Sequence, residues 1–246
     1  MKRLPFFVLI FIFMVVFGCS KQSGLEGKIV DAKGNPLSDL KVTVTQTQPT
    51  KGFERFETTS SADGSFKFEG LYPESNYLLK LESADMNLGF SGEQVMTAKN
   101  GQTKQLGQPI KIRFMALKNK DGVVKDTLTG LMWAANDTDK SIYPLYIGDG
   151  DPNLNGILEF SDGGFSDWRL PTDTELMGLF EKEGKKFTLP TNLINVSVCC
   201  LLARDHSSTL GSTGIFDFEY GKFGWVGSTR FLIDFEKRIL PVRDDK

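Results

Sequence analysis

The sequence predicts a mainly β protein: an N-terminal antiparallel β-sandwich followed by an α+β second domain. Three observations predict it. Short runs that alternate apolar and polar residues recur from Leu25 onward. Clusters rich in Gly, Asn, Asp and Pro separate them. A helical apolar period is readable once, after Thr172, and all three tryptophans (Trp133, Trp168 and Trp225) lie in the second half. Period-two runs bounded by turn residues read as half-buried strands, and many short strands without helical periods build sandwiches.

The chain opens on a leader. Lys2 and Arg3 precede an apolar run from Leu4 to Phe17, and Gly18-Cys19 closes it. Positive charge, apolar core and small residue, in that order, make a secretory signal. The run is shorter than the ~20 residues that span a bilayer. Val16-Phe17-Gly18-Cys19 resembles the lipobox of bacterial lipoproteins. The resemblance implies removal of residues 1–18 and lipidation of Cys19, with 19–23 as a tether. Ser20 in the next position implies the outer membrane, on its periplasmic side or at the cell surface. Each buried acyl methylene contributes ~0.8 kcal/mol, so two or three chains anchor almost permanently. An ordinary cleaved signal or an N-terminal anchor helix are the other readings.

Charge narrows the partners. Of 29 Lys and Arg, loss of Lys2 and Arg3 leaves 27 against 31 acids, a formal charge of −4. A nucleic-acid binder needs a strong basic face, so nucleic acid is not expected as a partner. His206 is the single histidine. Cys199 and Cys200 are adjacent, and they form either a vicinal disulfide or, more commonly for such neighbours, two buried thiols.

The first domain is read as residues 24–117. Strands are expected at 25–30, 40–45, 53–60, 66–68, 77–81, 93–98, 104–106 and 110–116. Turn clusters at Asp31–Pro36, Ala62–Ser65 and Pro73–Asn76 separate the earlier ones. Phe66 and Phe68 share a face and are expected in the core between sheets. The stretches GKIVDAKGNPLSDLKVTVT and TTSSADGSFKFEGLYPESNYLLKLES resemble the carboxypeptidase regulatory-like, transthyretin-like sandwich family. That resemblance implies a spacer or stalk, sometimes a binding module, and not a catalytic unit.

The second domain is read as residues 118–246. Thr172 and Glu175 are spaced as a capping box. Leu176, Leu179 and Phe180 then form one apolar stripe. Gly184, Lys185 and Lys186 suggest where the helix stops, with cations at the negative end of its dipole. Strands are expected at 216–220, 225–226, 231–235 and 239–242. Two motifs stand out: Asp126-x-x-Thr129-Gly130-Leu131-x-Trp133, and Gly164-x-x-Asp167-Trp168-Arg169-Leu170-Pro171-Thr172-x-x-Glu175, closing on Pro241-Val242-Arg243. Asp167 and Arg169 are expected to pair with each other or with backbone, and one of Trp168 and Leu170 to enter the core. Pro171 at the helix start fits its fixed backbone angle. Trp133, Asp167, Trp168, Arg169, Pro171, Glu175 and Arg243 are therefore read as fold-determining. In this order the motifs resemble the Lcl C-terminal-like domain of bacterial surface proteins. The resemblance implies a fold like that of C-type lectins and formylglycine-generating enzymes.

A loop from Asp151 to Asp162 has EF-hand spacing. Asp151, Asn153, Asn155 and Glu159 supply side-chain oxygens, Ile157 a backbone carbonyl, Gly156 the turn and Asp162 the twelfth position. Against calcium stand Asp in place of a bidentate Glu at that position, Gly163-Gly164 where a helix should exit, and no entering helix. A solvated Asp/Asn/Gly loop is the other reading. No segment sets a nucleophile beside a base and an orienting group, so no catalytic residue is assigned and no enzyme is expected. The leading functional expectation is a non-catalytic envelope lipoprotein whose distal lectin-like domain binds an extracellular ligand, a glycan or adhesion target. Trp225, Tyr220 and Phe223 are read either as sugar-stacking or as core, and Lys182, Lys185 and Lys186 form the one basic cluster. The alternative is an assembly lipoprotein that binds envelope proteins with no glycan ligand.

Overall fold

The computed structural model of the chain describes residues 22–138, 160–183, 186–204, 213–218, 222–225 and 237–245. The first half holds nine short strands: β1 (Ser23–Asp31), β2 (Lys41–Gln46), β3 (Arg55–Thr59), β4 (Ser65–Leu71), β5 (Asn76–Glu82), β6 (Met86–Leu88), β7 (Glu93–Met96), β8 (Thr103–Gln105) and β9 (Ile110–Ile112). Eight of them, all but β6, form two facing sheets. One runs β4-β1-β8, with β9 also on β1; the other runs β3-β2-β5-β7. β8 and β9 lie parallel to β1, and the remaining pairs are antiparallel.

Alternation builds this module. On β4 Phe66 and Phe68 are buried while Lys67 and Glu69 are exposed, and on β5 Tyr77, Leu79 and Leu81 are buried. With Leu25, Ile29, Val42 and Val44 they make one hydrophobic core. The turns are held by local chemistry. Asp31 accepts hydrogen bonds from the backbone N–H of Lys33 and Asn35 at 2.9 and 2.8 Å, an Asp turn that fixes the chain reversal. Gly64 sits at φ +76°, and a Cβ there would collide with the Ile29 carbonyl oxygen, so the Asp63-Gly64 turn requires glycine.

The second half continues with β10 (Phe114–Leu117), β11 (Val123–Asp126) and β12 (Leu131–Ala134). A 3-10 turn at Asp162–Gly164 and helix α1 (Asp173–Leu179) follow, then the hairpin β13 (Glu181–Glu183) and β14 (Lys186–Thr188). Strands β15 (Cys200–Arg204), β16 (Thr213–Asp217), β17 (Lys222–Trp225), β18 (Lys237–Arg238) and β19 (Val242–Asp244) complete it. One sheet runs β19-β12-β11-β10-β6 and another β17-β16-β15-β18. A second core gathers Phe114, Val124, Trp133, Leu176, Leu179, Leu201, Leu202, Phe216 and Leu240. The described chain is thus mainly β, with α1 its one α-helix.

The expected strand 110–116 divides at Arg113. β9 pairs with β1, whereas β10 pairs with β11 and with β6, a strand the sequence reading did not expect. Successive side chains of a strand point to opposite faces. Phe114 accordingly enters the second core and Met115 the first. Helix α1 is shorter than expected: it ends at Leu179, because Phe180 turns to extended geometry and stacks on Phe218 at 5.0 Å. Lys182 and Lys186 therefore fall in β13 and β14 and not at a helix end, and Lys185 lies outside the described residues. Cys199 and Cys200 are joined as a vicinal disulfide, where two thiols were the commoner expectation. Of the late strands expected, 231–235 lies outside the described residues, and β18 and β19 flank Ile239–Pro241.

Candidate functional site

The motif residues of the second half converge on one corner. β11 ends on Asp126, whose carboxylate accepts the Leu128 N–H at 2.9 Å while its carbonyl accepts the Gly130 N–H at 2.8 Å. This closes a tight hairpin into β12 and buries Trp133 completely. The Trp133 indole Nε1 has no hydrogen-bond acceptor among the described residues. β12 pairs with β19, placing Met132 beside Arg243 and Trp133 beside Val242. From β19, Val242 exchanges backbone hydrogen bonds with Arg169 at 2.8 and 3.0 Å. The segment carrying Asp167, Trp168 and Arg169 is therefore laid along the last strand.

Two arginine–carboxylate pairs pin that segment. Arg243 donates from Nε and Nη2 to Asp167 at 2.7 and 3.1 Å. Its guanidinium also lies 3.7 Å from the Phe165 ring centre, and the Lys120 ammonium lies 3.9 Å from the same ring. A cation over an aromatic face is attracted by the ring quadrupole. Arg169 donates to both Glu175 oxygens at 2.8 and 2.7 Å and to Asp244 at 3.2 Å. Asp167 and Arg169 thus do not pair with each other: Asp167 takes Arg243, and Arg169 takes Glu175, Asp244 and, at 3.4 Å, the backbone carbonyl of Leu170. Trp168 and Leu170 both enter the core, and Pro171 is buried just before the helix cap. Residues two apart on extended chain share a face, so both following the same side is the geometry to expect.

Glu175 is used twice. It accepts the Thr172 N–H at 2.8 Å, and Thr172 Oγ1 accepts the Glu175 N–H at 3.2 Å, which completes the capping box. Burial acts to raise the Glu175 carboxyl pKa, but the hydrogen bonds from Arg169 and from Thr172 outweigh it and hold the group below its usual range. The Glu175 hydrogen bond raises Arg169 in turn, against the opposing effect of burial. These carboxylates are engaged by arginines, and the arrangement joins chain segments. Among the described residues no three of His, Cys, Asp and Glu gather into a metal-binding group.

The remaining sites read from sequence fall elsewhere. Cys19, Asp151, Asn153, Asn155, Ile157 and Glu159 lie outside the described residues, as does Tyr220. Asp162 begins the 3-10 turn, packs against Gly122 of the β10–β11 turn, and its carbonyl accepts the Trp168 Nε1–H at 3.2 Å. Phe223 is half-buried against the second core, and Trp225 closes β17. Among the described residues no helix is long and apolar enough to cross a membrane.

The sequence reading missed the junction between the halves. Arg113 donates to Asp126 at 3.1 and 2.9 Å and to the Gly178 carbonyl of α1 at 2.6 Å. Asp126 is fully buried. Thr127 extends the seam: its Oγ1 donates to the Ile112 carbonyl at 3.0 Å and accepts the Ala32 N–H at 3.1 Å. One signal was available, an arginine inside the apolar alternation Ile110-Lys111-Ile112-Arg113-Phe114. Such a charge is buried only with a partner. A groove of about 660 Å³ also lies on the first module, lined by Glu26, Lys28, Thr58, Phe66, Lys67 and Gln105 among others.

Residues 24–107 match the family model of the carboxypeptidase regulatory-like domain. The N-terminal module is such a domain. It is a β-sandwich, and the family's description is of a regulatory-like domain. No curated protein matches the sequence. Among solved structures, the major pilin subunit of Bacillus cereus is 15% identical over 37% of this chain and 30% of its own, with a TM-score of 0.28. The dioxygenase domain of a dioxygenase–carbohydrate-binding fusion from Streptomyces sp. SirexAA-E is 20% identical over 32% and 55%, with a TM-score of 0.22. A 9R-lipoxygenase from Cyanothece PCC8801 is 11% identical over 37% and 17%, with a TM-score of 0.20. The chain spans well under two thirds of each, and at such scores these likenesses add nothing about fold or activity.

Proposed function

We propose that this chain is a non-catalytic envelope lipoprotein, anchored to the outer membrane through Cys19. Its regulatory-like sandwich holds a distal lectin-like domain that binds an extracellular glycan. The observation that supports the reading best is the seam. A strand of the first module, β6, continues the sheet of the second, and Arg113 ties β9, β11 and α1 together. A chain built to display one module on another benefits from such a joint, because a binding surface held in one orientation loses less freedom when it meets its ligand. The lipobox supports the anchor, and the motifs from Asp126 to Arg243 support the lectin-like assignment. Calcium at 151–162 belongs to the same reading as a structural ion for a long loop.

The test uses the mature chain from Ser20, applied to a glycan array with and without a chelator, alongside metabolic labelling of the full chain with a clickable fatty acid. Binding to defined glycans, and lipid on the wild type that is lost in Cys19→Ala, are expected. A chelator-sensitive signal assigns the ion. Silence on the array together with capture of defined envelope proteins favours the assembly role, and unlabelled protein released to the medium overturns the anchor.

A further inference from the structure

The Cys199–Cys200 bond is unused by the reading above, and its placement is unusual for a stabilising cross-link. A disulfide stabilises chiefly by closing a chain loop in the unfolded state, and the effect grows with loop length. Here the bonded residues are neighbours, so no intervening chain is closed. The bond fastens no distant segment. What it joins is a single dipeptide at the entrance to β15, an inner strand paired with β16 on one side and β18 on the other.

Both flanks of the dipeptide are held independently of the sulfurs. On one side, Ser197 donates its N–H and hydroxyl to the buried Asp137 carboxylate at 2.8 and 3.0 Å. On the other, Cys200 is paired with Asp217 and Lys237, and the Cys199 carbonyl accepts the Phe218 N–H at 3.3 Å. Exposure is unequal. Cys200 is buried, 4% exposed, whereas Cys199 is half-buried at the edge of the second core.

We propose that Cys199–Cys200 is a reversible thiol-exchange site for dithiol reductants. A thiolate of the reductant attacks the Cys199 sulfur, because Cys199 is the less buried residue of the two. The sulfur–sulfur bond breaks, and Cys200 leaves as a thiolate that takes up a proton. The reductant's second thiol, deprotonated, attacks the mixed disulfide and releases Cys199 as a thiol. Two electrons and two protons pass to the protein, and the reductant ends as its own disulfide. The two thiols remain neighbours in the chain, one peptide bond apart. That proximity favours reclosure by a disulfide oxidant, and it gives the reduced pair the spacing of a chelate for a soft, thiophilic centre such as trivalent arsenic. The inference stands on the second core alone and does not depend on the anchor or the glycan.

The experiment takes the chain from Ser20, which lacks Cys19, blocks thiols with maleimide before and after dithiothreitol under native conditions, and counts the added mass. No label before reductant and two after are expected, with unchanged far-UV circular dichroism, and restoration of the unlabelled mass after oxidised glutathione. Phenylarsine oxide should add one equivalent to the reduced chain and none to the oxidised chain or to Cys199→Ser. Two labels without reductant overturn the proposal. So does a bond that yields only after denaturation, a fold lost on reduction, or a reduced pair that does not take the arsenical.

Discussion

The two cores are closed in different ways. In the first, strands pair along much of their length, and buried residues alternate with exposed ones. Its ion pairs, such as Lys67–Glu69 and Lys28–Asp63, stand on the surface. Pairs of that kind contribute little. In the second, β10, β11, β12 and β19 are three or four residues long, and α1 has only seven. Arginines do the joining there: Arg113 to Asp126, Arg243 to Asp167 and Arg169 to Glu175. Where backbone ladders are short, bidentate guanidinium–carboxylate pairs supply the direction that ladders supply elsewhere.

The largest effect should come from the centre of the second core. Trp133 is fully buried. Trp133→Ala should cost about 3–5 kcal/mol, the usual range for an aromatic truncated in a packed core. Urea unfolding monitored by circular dichroism measures it. If the two cores were independent, signals from the first module would be unmoved. The shared strand β10 predicts that backbone amide exchange of β5 in the first module accelerates as well.

Arg113→Ala probes the seam directly. It leaves Asp126 buried with its backbone donor Leu128 but without its countercharge. Breaking a buried pair by removing one partner costs about 3 kcal/mol or more, whereas replacing both with apolar groups is often neutral. Arg113→Ala should therefore split a single calorimetric transition into two, and Arg113→Met with Asp126→Leu should restore most of the stability. A single unchanged transition in the alanine variant would mean that the sheet alone couples the halves.

This contrast also explains what could be read from the sequence. The first module was legible because its signals are local: Gly64 in its turn, Phe66 and Phe68 on one face, and Asp31 closing on Asn35. The capping box was legible for the same reason, since Thr172 and Glu175 are three residues apart. The partners of the charged residues were not. Asp167 bonds Arg243, 76 positions away, and Arg113 reaches Gly178 across 65. Sequence proximity suggested pairing Asp167 with Arg169 or with backbone, and the bridge between Arg169 and Val242 brings Arg243 to Asp167 instead. The helix end was misread because Gly184 and the lysines are adequate local stop signals. Packing of Phe180 against Phe218 ends it earlier. The strand break at Arg113 was hidden because alternation continues through it while the pairing partner changes.

A smaller effect tests the helix start. Thr172→Ala removes the hydroxyl that accepts the Glu175 N–H and should cost about 1 kcal/mol. Thr172→Ser should recover most of that, because the serine oxygen can occupy the same place. In the wild-type background the single transition should move as a whole; once Arg113→Ala has split it, only the second core's transition should move, since no side chain of α1 enters the first core.

The smallest effect is a dependence on pH. The Glu175 carboxyl lies below its ordinary value in the folded chain, because the Arg169 and Thr172 hydrogen bonds outweigh burial. A group depressed on folding adds stability that is complete above its unfolded pKa of about 4.5 and fades as pH falls through the folded value. Glu175→Gln keeps an oxygen for the Thr172 N–H but carries no charge toward Arg169. The stability difference between wild type and Glu175→Gln should be constant from neutrality down to about pH 5 and shrink on further acidification. Urea midpoints at pH 7 and pH 3.5 measure it. A difference that persists unchanged at the lower pH would mean that the Glu175 charge, and with it the Arg169 pair, has no weight in holding the corner.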